Sequence, residues 1–127
     1  MPIIDVNDVA KQPFPGGATY QTLVGDEAGS TPVRLGLQVS EPGYSTGTHS
    51  HPYMEVVTVV EGTGEAWIEG QDGFAAIGPG VTLVLPANVK HGFRVTGTAQ
   101  LKTYGVHASP NRLVDRFPDE DPGSAPD

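Results

Sequence analysis

The sequence predicts an all-β fold built as a single domain. Three observations carry that expectation. Seventeen glycines and twelve prolines are spread along 127 residues and punctuate short apolar runs, the pattern of many strands joined by tight turns. The strand-like runs recur at intervals of roughly ten residues, as in sandwiches and barrels. No helical period is sustained over several turns, apart from a weak segment at residues 111–117.

Residues 1–20 read as an N-terminal arm. Ile3, Ile4, Val6 and Val9 are apolar, but Pro13-Phe14-Pro15-Gly16-Gly17 interrupts any regular element. Such an arm either adds a strand to a partner subunit or lies on the domain surface. A strand is expected at 20–24, then a loop at 25–32. At 33–40 the residues alternate, with Leu35, Leu37 and Val39 on one face and Arg34, Gly36 and Gln38 on the other. Glu41-Pro42-Gly43 is a turn. Residues 49–61 read as one strand rich in Val and Thr, ended by Gly62-Thr63-Gly64. A strand at 65–69 carries Trp67, a packing residue between sheets or subunits, and leads into the hairpin turn Gly70-Gln71-Asp72-Gly73. Further strands are expected at 74–77, 81–85, 91–95 and 100–108, with a loop at 86–89. The tail from Pro118-Asp119-Glu120-Asp121-Pro122 onward is acidic and lacks apolar anchors, so disorder is expected from about residue 118. The organisation is therefore an arm at 1–20, a β-domain at 21–117 and a tail at 118–127.

Composition excludes several functions. Seven Lys and Arg against fifteen Asp and Glu give a formal charge of −8, which repels a phosphate backbone, so no nucleic-acid partner is expected. The chain has no cysteine, which removes disulfides, thiolate metal sites and a cysteine nucleophile. Apolar stretches such as Val56-Val57-Thr58-Val59-Val60 are too short to span a membrane as a helix. Met1-Pro2-Ile3-Ile4-Asp5 lacks the basic and apolar regions of a secretory signal, so a cytoplasmic location is expected.

Two of the four histidines stand two apart in Thr48-His49-Ser50-His51-Pro52. In an extended chain, residues 49, 51, 53 and 55 share one face. That face reads His49, His51, Tyr53, Glu55, then Val57 and Val59, polar at its start and apolar deeper in. His91, just past the loop at 86–89, is the natural further ligand. Three neutral imidazoles and one carboxylate suit a single divalent ion such as manganese, iron, nickel or zinc. An octahedral ion would keep two positions open for substrate.

Other residues carry two readings each. Tyr53 shares the ligand parity and either hydrogen-bonds a substrate or packs as a rim aromatic. Phe93 lines a pocket or packs in the core. Gln38 contacts substrate if its face turns inward and is merely solvated otherwise, as is Arg34. His107 is a proton shuttle if its strand faces the cavity, or else a strand-end histidine. Tyr104 has the opposite parity, so only one of the two can face inward. Glu61, Glu65 and Glu69 read as a solvated face, and the Gly pairs near 62–64 and 78–80 as turns, not phosphate loops.

The stretch Gly43-x5-His49-x-His51-x3-Glu55-x6-Gly62 resembles the first motif of the cupin superfamily at every signature position. Gly80-x5-Pro86-x-Asn88-x2-His91-x3-Val95 resembles the second, with Asn88 where the family usually has Gly and Val95 where it usually has Asn. Asn is the residue after Gly that best tolerates a left-handed backbone. The motifs span residues 43–95, and the strand pattern extends the resemblance over about 33–108. It implies a small cupin-type jelly-roll β-barrel of six to eight strands with one metal inside. His49, His51, Glu55 and His91 fall on the ligand positions, none substituted. The intermotif stretch at 63–79 is short, as in small single-domain microbial cupins, which commonly form homodimers through barrel faces and N-terminal strands.

The resemblance further implies a metal-dependent enzyme acting on a small oxygenated organic molecule, with dioxygenase-type chemistry foremost. The alternatives are a metal-dependent isomerase or lyase, a polyketide-type cyclase, or a non-catalytic small-molecule-binding cupin. A DNA-binding regulator is disfavoured, because nothing helical flanks the barrel and the charge is wrong.

Overall fold

Glycine turns cut the chain into short extended segments, some pairing with the next strand and most with strands farther along the chain. In the computed structural model, which describes residues 2–26 and 29–122, eleven strands form. They are β1 (Gln12–Phe14), β2 (Ala18–Val24), β3 (Arg34–Ser40), β4 (His49–Ser50), β5 (Glu55–Glu61) and β6 (Gly64–Ile68), followed by β7 (Ala75–Ile77), β8 (Thr82–Leu85), β9 (His91–Val95), β10 (Leu101–His107) and β11 (Asp115–Arg116). They make a six-stranded sheet in the order β1-β2-β3-β10-β5-β8 and a five-stranded sheet in the order β11-β4-β9-β6-β7. Every pairing is antiparallel. Two such sheets burying their inner faces against each other form a jelly roll. No helix among the described residues is long and apolar enough to cross a membrane.

Period-2 alternation decides what faces the core. On β5, Glu55, Val57 and Val59 are buried, and on β10 Leu101, Thr103 and His107 are. The register sets His107 opposite Glu55 and Thr103 opposite Val59, so polar groups gather at one end of the interior. Val59, Leu83, Leu101, Ile77 and Val95 fill the other end. This apolar end anchors the strands, since each fully buried side chain of this kind contributes about 1.5–3 kcal/mol relative to exposure. On β3 the polar face is the inner one: Gly36 and Gln38 border the interior cavity, while Leu37 and Val39 border an outer groove.

Several expectations need revision. Residues 49–61 are not one strand: β4 belongs to the five-stranded sheet and β5 to the six-stranded one. Pro52 sits in the crossing, where it has no N–H to give a ladder. The stretch read as an arm contains β1 and the start of β2, and Pro13 is tolerated because β1 is an edge strand. A 3₁₀ turn at Val6–Asp8 is held by the buried Gln21, whose side-chain amide donates to Val6 O and Val9 O. The segment 111–117 is not helical: it runs as a strap whose β11 pairs with β4. Finally, Trp67 lies between no sheets. Its ring covers Gly92 from outside the five-stranded sheet and meets Phe74 edge-on, with ring centroids 5.9 Å apart.

The beginning of the acidic tail is ordered. Residues Pro118–Glu120 form a 3₁₀ turn. Thr48 N donates to Asp121 Oδ1, Thr48 Oγ1 donates to Glu120 O, and Lys90 pairs with Glu120. Hydrogen bonds replace the apolar anchors that this stretch lacks. The rest of the expected disorder, at 123–127, lies outside the described residues.

Candidate metal centre

Three strands from two sheets bring the four expected ligands together. His49 on β4 is the cross-strand partner of His91 on β9. His51 follows β4 directly, and Glu55 opens β5. The turn before β9 depends on Asn88, the one described non-glycine residue with positive φ, at 65°. Its N–H donates to His51 O at 2.7 Å, tying the turn to the His51 backbone. One ligand atom from each of His49, His51, Glu55 and His91 lies within 4.8 Å of the others.

The imidazole tautomers follow from their partners. Each ring presents Nδ1 to a backbone carbonyl: His49 to Gly47 O at 2.9 Å, His51 to Leu113 O at 2.6 Å and His91 to Val89 O at 2.9 Å. A carbonyl only accepts, so each Nδ1 carries a hydrogen, and the tautomer with that single hydrogen turns an Nε2 lone pair elsewhere. Burial, aided by neighbouring His91, pushes His49 down to about 4, so it is neutral at pH 7. His51 Nε2 and His91 Nε2 lie 3.3 and 3.4 Å from Glu55 Oε1. Lone pairs facing a carboxylate oxygen repel unless a cation lies between them. His91 Nε2 is moreover buried with no hydrogen-bond partner. The donor set therefore fits a divalent first-row ion.

His107 faces inward and Tyr104 outward. His107 Nε2 donates to Glu55 Oε2 at 2.7 Å, and its Nδ1 lies 2.6 Å from the Tyr53 hydroxyl. Leu113 N–H donates to the same hydroxyl at 3.2 Å. Burial alone would raise the Glu55 carboxyl, but the hydrogen bond from His107 Nε2 holds it well below the usual carboxylate range. Glu55 thus stays ionised, with Oε2 engaged and Oε1 turned to the imidazoles.

These groups border a cavity of about 490 Å³, within the range of small-molecule sites. Gln38, Phe93 and His107 are in its wall, as the inward readings of those residues require. Tyr53 is not: it lies behind His107, with its hydroxyl shared among His107, His51 and Leu113. Arg34 is held by Thr22 Oγ1 and Pro110 O rather than merely solvated. Sequence reasoning missed Phe14, Tyr20, Tyr44, Thr103, Arg112 and Arg116, which also border the cavity. Gly36 was the available signal for Tyr20, because a Cβ there would fall on its hydroxyl. Nothing local could have placed Arg112 and Arg116, which arrive on the strap.

Comparison with known proteins agrees with this architecture. The chain is 30% identical over 109 residues to "Polyketide synthase CurC" of Streptomyces cyaneus, covering 85% of this chain and 69% of the relative. It is 32% identical over 100 residues to "Protein SchB" of Streptomyces halstedii, covering 79% and 72%. The solved structure of the polyketide cyclase RemF from Streptomyces resistomycificus superimposes with a TM-score of 0.76 at 27% identity, covering 96% of this chain and 89% of that one. The sequence model of the Cupin domain matches residues 36–107. That match runs from within β3 to the end of β10 and takes in all four ligand positions, so the chain belongs to the cupin family.

Proposed function

We propose that this chain is a metal-dependent cyclase-type enzyme that closes a ring in an oxygenated, polyketone-like small molecule. The observation that carries the reading is the position of the His49, His51, Glu55 and His91 cluster in the wall of a cavity that Phe14, Tyr20, Tyr44 and Phe93 also line. Aromatic faces suit the planar enol forms of a polyketone and the aromatic rings formed from it. Similarity to proteins described as a polyketide synthase and a polyketide cyclase supports the same reading.

When bound, a divalent ion supplies Lewis acidity to a carbonyl oxygen. His49, His51, Glu55 and His91 would hold it. His107 and Tyr53 are positioning residues, because they touch Glu55 and the Leu113 backbone, and Tyr53 is outside the cavity wall. Gln38 offers an amide to a substrate oxygen, and Phe93, Val57 and Leu85 exclude water around it.

The same four ligands would serve dioxygenase-type chemistry, and one experiment separates the readings. Metal content is measured on purified protein, which is then given a 1-aryl-1,3,5-triketone under air. A cyclase yields a product lighter by one water with no oxygen consumed. Oxygen uptake matched to substrate loss would establish the dioxygenase instead. Saturable binding without turnover would leave a binding protein.

The proposal includes a homodimer in the cytoplasm. Leu35, Val106, Val56 and Val84 form one cross-strand row over β3, β10, β5 and β8. They face away from the core, and Val84 and Val106 are exposed. A second copy laid across this row about a twofold axis would cover it. A monomeric mass by light scattering would end this part of the proposal.

A further inference from the structure

The mouth of the cavity has a sign of charge opposite to that of the protein. The chain carries a formal charge of −8, yet Glu55 is the one carboxylate in the described cavity wall, and His107 already engages it. Arg112 and Arg116 stand in the same wall, half-buried and exposed respectively, where the cavity opens to solvent.

Most other cations are committed elsewhere. Lys90, Arg94 and Lys102 pair with Glu120, Glu65 and Glu61, and Arg34 donates to Thr22 and Pro110. Neither Arg112 nor Arg116 has a carboxylate within ion-pair distance among the described residues.

Arg112 is also braced. Its guanidinium lies over the Phe14 ring at 4.9 Å, and Phe14 stacks on Tyr20 with centroids 5.4 Å apart and an interplanar angle of 17°. Stacking occupies a guanidinium face and leaves the in-plane N–H edge for a planar oxyanion. Arg116 Nη1 approaches Thr46 O at 3.5 Å on the same rim. The positive potential reaches inward: burial raises the Tyr20 and Tyr44 hydroxyls, and nearby guanidinium charge opposes that rise, from Arg34 and then Arg112 at Tyr20 and from Arg116 and then Arg112 at Tyr44.

We propose that Arg112 and Arg116 form an acid-recognising rim that takes the carboxylate or acidic enol of a planar aryl substrate, whose body lies along Phe14 and Tyr20 with its far end at the metal cluster. This names the substrate class for the reading above and rests on it. A polyketone chain carries such an acidic end, and a neutral one would leave both arginines unanswered.

The test compares two probes of equal shape, 2-naphthoate and 2-naphthamide, by calorimetric titration. Each is titrated into protein as purified and into chelator-treated protein. In both preparations the acid should bind about tenfold or more tightly than the amide, the scale of a charge-assisted hydrogen bond. Arg112→Gln with Arg116→Gln should bring that ratio to about one, and the two Lys replacements should restore part of it. An equal affinity for both probes, or a ratio unchanged in the double Gln variant, overturns the rim. So does an acid preference that vanishes on chelation, because the carboxylate would then be read by metal. The ratio is insensitive to general damage, which weakens both probes together. Absence of metal in the purified protein would sink the metalloenzyme reading while leaving this ratio measurable.

Discussion

His107 Nε2 lies 2.7 Å from Glu55 Oε2, while Glu55 Oε1 faces the ring nitrogens of His51 and His91. The carboxylate is therefore divided between a fixing contact and a ligand contact, which favours one-oxygen ligation. His107→Phe removes the fixing donor and leaves Oε2 buried beside an apolar ring. Divalent-metal affinity should fall about tenfold, or ~1.4 kcal/mol, as for other groups that orient a ligand. His107→Gln, which restores an N–H donor, should recover part of it. Competition with a fluorescent chelator measures both, and an unchanged affinity in His107→Phe would refute the role.

His91 tests the site itself. Its Nδ1 is fixed by Val89 O, while its Nε2 is buried with no hydrogen-bond partner and is free to ligate. His91→Ala should lose most bound metal, as measured by inductively coupled plasma mass spectrometry, while keeping the β-sheet circular dichroism of the parent. Full retention of metal would remove His91 from the ligand set.

The ligand face was legible in the sequence because its alternation survives a change of sheet. The chain crosses from β4 to β5 around Pro52, yet His51, Tyr53, Glu55, Val57 and Val59 are all buried. Both sheets turn their inner faces to the same interior, so parity holds even where a continuous strand does not. Asn88 was legible for a similar reason: a left-handed position admits few residues, and its φ is 65°. The rim was not legible. Arg112 and Arg116 are four apart, a helical spacing, but their segment is held extended by pairing of Arg116 with His49, 67 positions away in the chain. The start of the tail escaped for the opposite reason. Its anchors are the Asp121 carboxylate and the Glu120 carbonyl, and composition cannot distinguish a bonded acid from a solvated one.

Gly92 is required by its neighbours. A Cβ there would stand 2.3 Å from Trp67 Cζ2 and 2.7 Å from Gly47 O. Gly92→Ala should therefore destabilise the protein by about 1–3 kcal/mol through overpacking next to His91. Adding Trp67→Phe should relieve only part of the loss, because the Gly47 carbonyl stays. Urea unfolding of the two single variants and the double variant gives the coupling. Simple additivity would mean that the Trp67 ring is not what excludes a side chain at 92.

Thr48 joins the strap to the strand that carries His49. Its hydroxyl accepts from Trp67 Nε1 at 2.9 Å and donates to Glu120 O at 3.0 Å, and its carbonyl accepts from Phe117 N at 2.9 Å. Between those anchors and the barrel lies Leu113, whose carbonyl fixes the His51 tautomer. Thr48→Val keeps the shape but leaves the Trp67 and Glu120 groups without their partner, a loss of about 1–3 kcal/mol. If the strap positions His51, the same change should weaken metal binding as well as folding, although Thr48 is no ligand. Asp121→Ala, which removes a second anchor of the strap, should weaken metal binding in the same direction. The readouts are urea midpoint and chelator competition. A shift in the midpoint with metal affinity unchanged in both variants would make the strap a brace for the fold alone, with His51 held by β4.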